Sequence, residues 1–263
     1  MTGAMLDGFV AGVFEHDGVA RTVYVRGAGP GVVIMHELPG ITPELARFAT
    51  TIAEAGFCVS VPHFFGEVGR PYGNAYALRE LAKICIRREI SILARRRSSP
   101  LVEWIRALCR AEHARIGGKG VGAIGMCITG NFALAMLVDE VVMAPVLAQP
   151  SLPLLSLGKR GRAALHVSDA ELDAARDRAR AGARILAMRF TRDLLCPPER
   201  MERLREELGD SIEVIEIDSS RGNPHGIPEY AHSVLTVDLV DEPGHPTRVA
   251  LDRTITFLRE RLS

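Results

Sequence analysis

The residue best suited to covalent chemistry is Cys127, in the stretch VGAIGMCITGNFALAM. A strand-like run ends near Gly125, and the chain then turns directly into an apolar helix. This is the layout of a nucleophile elbow, a sharp turn that presents the nucleophile at the top of a sheet and requires small neighbours. Gly125 meets that requirement, whereas Thr129 fits less well and Gly130 follows one residue later. The helix N-terminus would favour a thiolate, although a buried core cysteine beside a helix start also explains the motif.

Candidate partners for Cys127 follow later strand-like segments. Asp193 comes directly after ARILAMRF, and both His225 and His232 lie in the loop after IEVIEI. In hydrolases with such an elbow, the chain order is nucleophile, acid, base, and ligands bind at the carboxyl ends of parallel strands. The alternative for Asp193 is a turn or helix-capping carboxylate, and on position alone either histidine could be the base.

Strand-like and helix-like segments alternate along the chain, which predicts an α/β fold with a mostly parallel sheet, helices on both faces and an N-terminal antiparallel hairpin. We see no linker or repeat, so the prediction is one domain over residues 1–263. The predicted strands are GFVAGVF, VARTVYVR, GVVIMHE, FCVSVP, VGAIG, VVMAPV, ARILAMRF and IEVIEI. The predicted helices cover residues 42–56, 77–114, 131–138, 169–181, 197–208 and 247–262.

Composition excludes several classes of protein. The 263 residues carry 32 basic and 32 acidic side chains and only 5% aromatics, which argues against a nucleic-acid partner. No apolar run is long enough to span a membrane, and the N-terminus lacks the pattern of a secretory signal. The five cysteines form no CxxC pair, which favours a cytoplasmic location and argues against disulfides and structural zinc.

The chain resembles the dienelactone hydrolase family of α/β hydrolases from about residue 10 to the final helix. The segments that carry this resemblance are HELPGI, GMCITG, the aspartate after ARILAMRF and AHSV. The resemblance implies an α/β-hydrolase fold and a Cys-His-Asp triad of Cys127, His232 and Asp193. It favours His232 over His225, because AHSV matches the family's histidine motif. It also implies that Glu37, in HELPGI, contacts the resting thiol and takes part in its activation.

The activity implied is hydrolysis of carboxyl esters or lactones, of the carboxymethylenebutenolidase type, through a thioester intermediate and without a metal or organic cofactor. The backbone N–H groups of Leu38 and Ile128 are expected to form the oxyanion hole. Two alternatives remain open. One is an inactive homologue that binds a small molecule, and the other is a redox or electrophile sensor in which Cys127 pairs with Cys196.

One departure concerns the substrate. Family members that act on dienelactones hold the substrate carboxylate with arginines, one of them shortly after the catalytic histidine, where this chain has Thr236. Dienelactone itself is therefore not the expected substrate, although Arg79, Arg87 or Arg88 could supply a positive charge. The pocket is expected to be apolar and to be lined by the loop that contains His63, Phe64, Phe65 and Tyr72.

Overall fold

The protein folds around one mixed sheet of eight strands, the first beginning at residue 10 and the last ending at residue 217. The computed structural model describes residues 6–86, 99–151 and 158–263. The strands are β1 (Val10–His16), β2 (Val19–Arg26), β3 (Gly31–Met35), β4 (Cys58–Pro62), β5 (Val121–Met126), β6 (Val142–Ala148), β7 (Ile185–Phe190) and β8 (Ile212–Ile217). Their order in the sheet is β1-β2-β4-β3-β5-β6-β7-β8. The β1-β2 and β2-β4 pairs are antiparallel and all others are parallel. The predicted sheet with its N-terminal hairpin is confirmed.

Eight helices are described, on both faces of the sheet. They are α1 (Pro43–Glu54), α2 (Asn74–Ile86), α3 (Pro100–Ile116), α4 (Gly130–Ala135), α5 (Gly158–Arg162), α6 (Asp169–Arg180), α7 (Pro198–Leu208) and α8 (Pro246–Leu262). Helices α1 and α8 pack in one apolar cluster, and α3, α4, α6 and α7 pack in another. Alternate residues of β3 enter different clusters, Val33 in one and Ile34 in the other, as expected for a strand covered on both faces.

Helix starts follow the capping signals of the sequence. Thr42 Oγ1 accepts a hydrogen bond from Leu45 N at 3.3 Å, and Pro43 occupies the first turn of α1. Ser99 caps α3 in the same way, with Pro100 after it. Both pairs satisfy backbone donors that a helix start otherwise leaves free.

The predicted long helical region over residues 77–114 is helical at both ends, in α2 and in α3. Ser99 has extended backbone angles immediately before Pro100, because a residue before proline disfavours the helical conformation. Arg87 and Arg88 lie outside the described residues. None of the described helices is long and apolar enough to cross a membrane.

The topology brings the chemistry-bearing loops together. Strands β3, β5, β6 and β7 are consecutive neighbours in the sheet and run parallel. Glu37 follows β3, Cys127 follows β5, Gln149 follows β6 and Asp193 follows β7. All four side chains therefore start from the carboxyl edge of the sheet, where open α/β sheets bind ligands.

Candidate active site

Cys127 occupies a tight turn between β5 and α4. Its backbone φ is +53°, a left-handed conformation that residues other than glycine rarely adopt. A Cβ on Gly125 would lie 2.1 Å from the Thr129 carbonyl oxygen, and one on Gly130 would lie 2.8 Å from Pro150 Cα. The turn therefore requires glycine at both positions, as in a nucleophile elbow.

Thr129 fits the elbow better than the sequence suggested. Its hydroxyl accepts a hydrogen bond from Met126 N at 2.9 Å and lies 2.8 Å from the Met35 carbonyl oxygen, to which it donates. The side chain thus ties the end of β5 to the end of β3. The close approach between the turn and the Pro150 backbone occurs at Gly130, one residue later.

His232 and Asp193 form a hydrogen-bonded pair, with 2.7 Å between His232 Nδ1 and Asp193 Oδ2. The other carboxylate oxygen of Asp193 accepts the backbone N–H groups of Leu195 at 2.9 Å and Cys196 at 3.2 Å. Both oxygens of Asp193 therefore act as acceptors, and Nδ1 of His232 carries the proton that it donates to Asp193. The other ring nitrogen, Nε2, is buried, and a side-chain hydrogen bond with Cys127 contributes to the environment of the imidazole.

The environment holds the pKa of His232 well above its usual value. Burial of the ring favours the neutral form, but the negative charges of the Cys127 thiolate and the Asp193 carboxylate, together with the bond to Asp193, outweigh it. Negative charge on Cys127 and Asp193 therefore favours the protonated form of His232. Cys127 and His232 line the same cavity.

His225 lies outside this group. Its side chain is exposed, and its ring contacts that of His245 with 5.5 Å between the centroids. Position along the chain left both His225 and His232 as candidates for the base, and His232 is the one that pairs with Asp193.

Asp238, which the sequence analysis missed, fixes the loop that contains His232. Its Oδ2 accepts the backbone N–H groups of His232 at 2.9 Å and Ser233 at 2.8 Å. An aspartate a few residues after a histidine is a common pattern, so the sequence offered only a weak signal.

Glu37 is buried and accepts hydrogen bonds from three neutral side chains. Ser233 Oγ donates at 2.8 Å and Gln149 Nε2 at 3.2 Å to Oε2, and Thr236 Oγ1 donates to Oε1. Burial raises the pKa of Glu37, while these hydrogen bonds and the nearby His232 act in the opposite direction. The carboxylate is held by fixed donors that the sequence analysis did not identify.

The Cys127 thiol bonds to Ser151 in this structure, and the expected contact with Glu37 is not the one observed. Ser151 Oγ lies 3.1 Å from Cys127 Sγ, and Ser151 N donates to the Cys127 carbonyl oxygen at 2.9 Å. Asn131 Nδ2 donates to the Ser151 carbonyl oxygen at 2.9 Å. The described hydrogen bonds of Glu37 come instead from Gln149, Ser233 and Thr236.

The expected oxyanion-hole residues flank the thiol. Ile128 directly follows Cys127, and Leu38 packs against both residues. His36 fixes the peptide that contains the Leu38 N–H: Phe64 N donates to His36 Nε2 at 3.0 Å, so Nδ1 carries the proton and donates to the Glu37 carbonyl oxygen at 3.1 Å. Burial lowers the pKa of His36 to about 3, so its ring stays neutral in this role.

A cavity of about 510 Å³ lies beside Cys127 and His232. Its polar lining consists of Glu37, Asn74, Cys127, His232, Ser233 and Asp238. Its apolar lining consists of Leu38, Ala77, Leu78, Leu81, Leu195 and Val237, with Tyr72 and Tyr230 beside them. No lysine or arginine is among the described lining residues.

The loop expected to line the pocket contributes only in part. Tyr72 lines the cavity, Phe65 packs against Cys127 and Ile128, and Phe64 belongs to a core cluster. His63 instead hydrogen-bonds through Nε2 to the Gly66 carbonyl oxygen at 3.1 Å. Among the described residues, no group of three acidic, histidine or cysteine side chains could hold a metal ion.

Comparison with known proteins now identifies the family. The model of the dienelactone hydrolase family matches residues 19–260, which is most of the chain. The chain belongs to the dienelactone hydrolase family. A comparison with curated protein sequences found no match.

Solved structures share the α/β-hydrolase fold at low sequence identity. A dienelactone hydrolase from Anabaena variabilis is 15% identical, with a TM-score of 0.61 over 97% of this chain and 98% of that one. A dienelactone hydrolase-like promiscuous phosphotriesterase from metagenomic libraries gives the same identity, TM-score and coverage. An esterase from Pyrococcus furiosus is 14% identical, with a TM-score of 0.56 over 97% of this chain and 93% of that one.

Thr236 shows how this member of the family departs from the pattern implied by the resemblance. Where an arginine would hold a substrate carboxylate, the Thr236 hydroxyl donates to Glu37. The residue thus supports a buried carboxylate of the protein itself.

The thiol of Cys196 is placed poorly for a redox partner. Cys196 is fully buried, and burial raises the pKa of its thiol well above the usual range. The thiolate is the reactive form in disulfide chemistry, so this burial disfavours the reactive form of Cys196. Cys127 and Cys196 are both free thiols.

Proposed function

We propose that the protein hydrolyses carboxyl esters or lactones through a Cys-His-Asp triad of Cys127, His232 and Asp193. The observation that carries the proposal is the cavity itself: an elbow-mounted thiol and an aspartate-anchored imidazole border the same space. Membership of the dienelactone hydrolase family supports the same reaction class.

In the first half of the reaction, the Cys127 thiolate attacks the carbonyl carbon of the substrate. A C–S bond forms, and the carbonyl electrons move onto oxygen, where the N–H groups of Leu38 and Ile128 stabilise the charge. The intermediate then collapses, the C–O bond to the leaving group breaks, and the His232 imidazolium protonates the departing alkoxide. In a lactone, the freed hydroxyl remains attached to the acyl group.

The second half requires His232 to act as a base. The thiolate charge that raised the pKa of His232 disappears when the thioester forms, so the imidazole becomes neutral on transferring its proton. His232 then accepts a proton from water, hydroxide adds to the thioester carbonyl, and the C–S bond breaks. The carboxylic acid leaves and the Cys127 thiolate is restored.

The leaving group limits the substrate class. A thiolate is a better leaving group than an unprotonated amine, so without protonation of the nitrogen a tetrahedral adduct with an amide returns to the starting amide. Activated esters, enol-lactones and thioesters are therefore the expected substrates, and peptides are not.

The test compares hydrolysis of p-nitrophenyl acetate by wild type, Cys127→Ala and His232→Ala, with His225→Ala as the matched control. We expect the first two variants to lose at least about a thousandfold in kcat/KM, and His225→Ala to retain the wild-type rate. Circular dichroism checks that all four proteins are folded.

Mass spectrometry provides a second readout. The His232→Ala variant should accumulate one acyl group on Cys127, because deacylation lacks its base. An active Cys127→Ala variant would disprove the mechanism. An inactive wild type whose Cys127 still reacts with peroxide would favour a sensor, and one that binds esters without turnover would favour an inactive homologue.

A further inference from the structure

The outer part of the active-site cavity is apolar and open to solvent. Leu78 is 67% exposed and Tyr230 is 85% exposed, and both line the cavity together with the exposed Tyr72, Leu195 and Val237. We call these five residues the rim. Single exposed apolar residues are ordinary, but a group that borders one cavity marks a binding surface.

Helix α2 extends this apolar surface inward. Asn74, Ala77, Leu78 and Leu81 follow the spacing of one helix face, and all four line the cavity. At the inner end, Leu38 packs against Cys127. The apolar lining therefore runs from the thiol, which is 4% exposed, to the solvent-facing Leu78.

The charges of the lining disfavour an anion. Glu37 and Asp238 are carboxylates, His232 is already paired with Asp193, and no lysine or arginine lines the cavity among the described residues. Arg79, the described arginine adjacent to Leu78 in the chain, forms ion pairs with Glu67 at 3.0 Å and Glu80 at 3.2 Å. A substrate carboxylate would thus be desolvated near other negative charges without a described cationic partner.

We propose that the physiological substrate is an uncharged ester or lactone with an extended apolar group, which lies along α2 and on the rim while the carbonyl reaches Cys127. This inference rests on the proposed hydrolase function and specifies its substrate class.

The first experiment measures kcat/KM for p-nitrophenyl acetate, butanoate, hexanoate and octanoate. Each methylene placed on apolar surface contributes up to about fourfold. We therefore expect hexanoate to exceed acetate by at least about tenfold. A flat or falling series would contradict an apolar binding track.

A matched charged substrate tests the second half of the inference. The mono-p-nitrophenyl ester of adipic acid has the same six-carbon acyl chain as the hexanoate ester but ends in a carboxylate. We expect its kcat/KM to be at least about thirtyfold lower, from repulsion by carboxylates several ångströms away. An equal or higher value would show that the site binds an anion and would overturn the proposal.

Variants of the rim separate specific contacts from general hydrophobicity. Leu78→Ser and Tyr230→Ser should each reduce the hexanoate-to-acetate ratio about threefold to tenfold. The control is Val249→Ser, which changes an exposed apolar residue of α8 outside the cavity and should leave the ratio unchanged. If none of the three substitutions changed the hexanoate-to-acetate ratio, the rim would not take part in substrate binding.

Failure of this inference can be distinguished from failure of the proposed function. If acetate is hydrolysed but chain length has no effect, the hydrolase proposal stands and the substrate class is wrong. If no ester is hydrolysed, titration calorimetry still tests the surface. Binding of decanamide but not decanoate, weakened by Leu78→Ser, would support an uncharged apolar ligand, and the absence of that preference would refute it.

Discussion

Two buried carboxylates, Asp193 and Glu37, follow strands of the same sheet and border the same histidine loop, yet their surroundings differ. Asp193 accepts two backbone N–H groups on one oxygen and the His232 ring on the other. Glu37 accepts hydrogen bonds only from neutral side chains, those of Gln149, Ser233 and Thr236, among the described contacts.

The difference indicates separate roles. His232, the partner of Asp193, gains and loses a proton during the proposed reaction, so the charge of Asp193 directly affects the pKa of His232. Glu37 has no proton-exchanging partner, and its donors reach it from the loop after β6 and the loop after β8. Glu37 therefore ties the two loops together, and in the proposed mechanism its role would be to position the loops and to stabilise the imidazolium through space.

The largest expected effect is at Asp193. Asp193→Asn removes the charge and the hydrogen bond that raise the pKa of His232, and an amide can orient the ring in the wrong tautomer. We expect kcat/KM for p-nitrophenyl acetate to fall about 10³–10⁴-fold and the pKa of His232, measured by NMR, to decrease.

The matched control for this change is Asp218→Asn, an exposed aspartate just after β8, which should alter neither quantity. If Asp193→Asn kept the wild-type pKa of His232, the ring would be held by something other than this carboxylate, and the contrast with Glu37 would disappear.

A smaller effect is expected at Glu37. Glu37→Gln removes a negative charge that attracts the imidazolium but leaves the bond to Asp193 intact, so we expect about a tenfold loss in kcat/KM, equivalent to ~1.4 kcal/mol. A loss as large as that of Asp193→Asn would instead give Glu37 a direct part in proton transfer.

The same variant should change how stability depends on pH. The pKa of Glu37 is raised in the folded protein, so its contribution to the free energy of unfolding is greatest at low pH and decreases as pH rises through the folded pKa. Glu37→Gln lacks this dependence. Urea unfolding at several pH values should show the variant gaining stability relative to wild type as pH increases, and a constant difference would argue against a raised pKa.

The sequence was informative about the fold and the proposed triad for the same reason. Hydrophobic runs mark the ends of β5 and β7, and a parallel sheet brings those ends to one edge, so Cys127 and Asp193 could be singled out from chain order. Thr42 and Pro43 likewise marked the start of α1 because capping is local. Ser99 and Pro100 form the same kind of local signal at the start of α3, within the region predicted to be helical.

The surroundings of Cys127 and Glu37 were less predictable. Ser151 and Gln149 reach Cys127 and Glu37 from the loop after β6, and Thr236 reaches Glu37 from almost two hundred residues away. Hydroxyl and amide side chains occur throughout the chain, so nothing local distinguishes these ones. Their identity depends on side-chain directions that only the packed structure determines.

The smallest expected effect concerns one of these distant donors. Thr236→Val keeps the shape of the side chain but removes the hydroxyl that donates to Glu37. Losing a hydrogen bond to a buried charge should cost about 1.5–3 kcal/mol of stability, whereas kcat/KM should fall only about threefold because the triad is untouched. Thr236→Ser keeps the hydroxyl and should restore most of both values in urea unfolding and ester hydrolysis.

The stability loss caused by Thr236→Val should shrink at low pH, since a protonated Glu37 depends less on this donor. A Thr236→Val variant as stable as Thr236→Ser at every pH would mean that the hydroxyl does not support the carboxylate, and the distinction between the two acids would then rest on Asp193 alone.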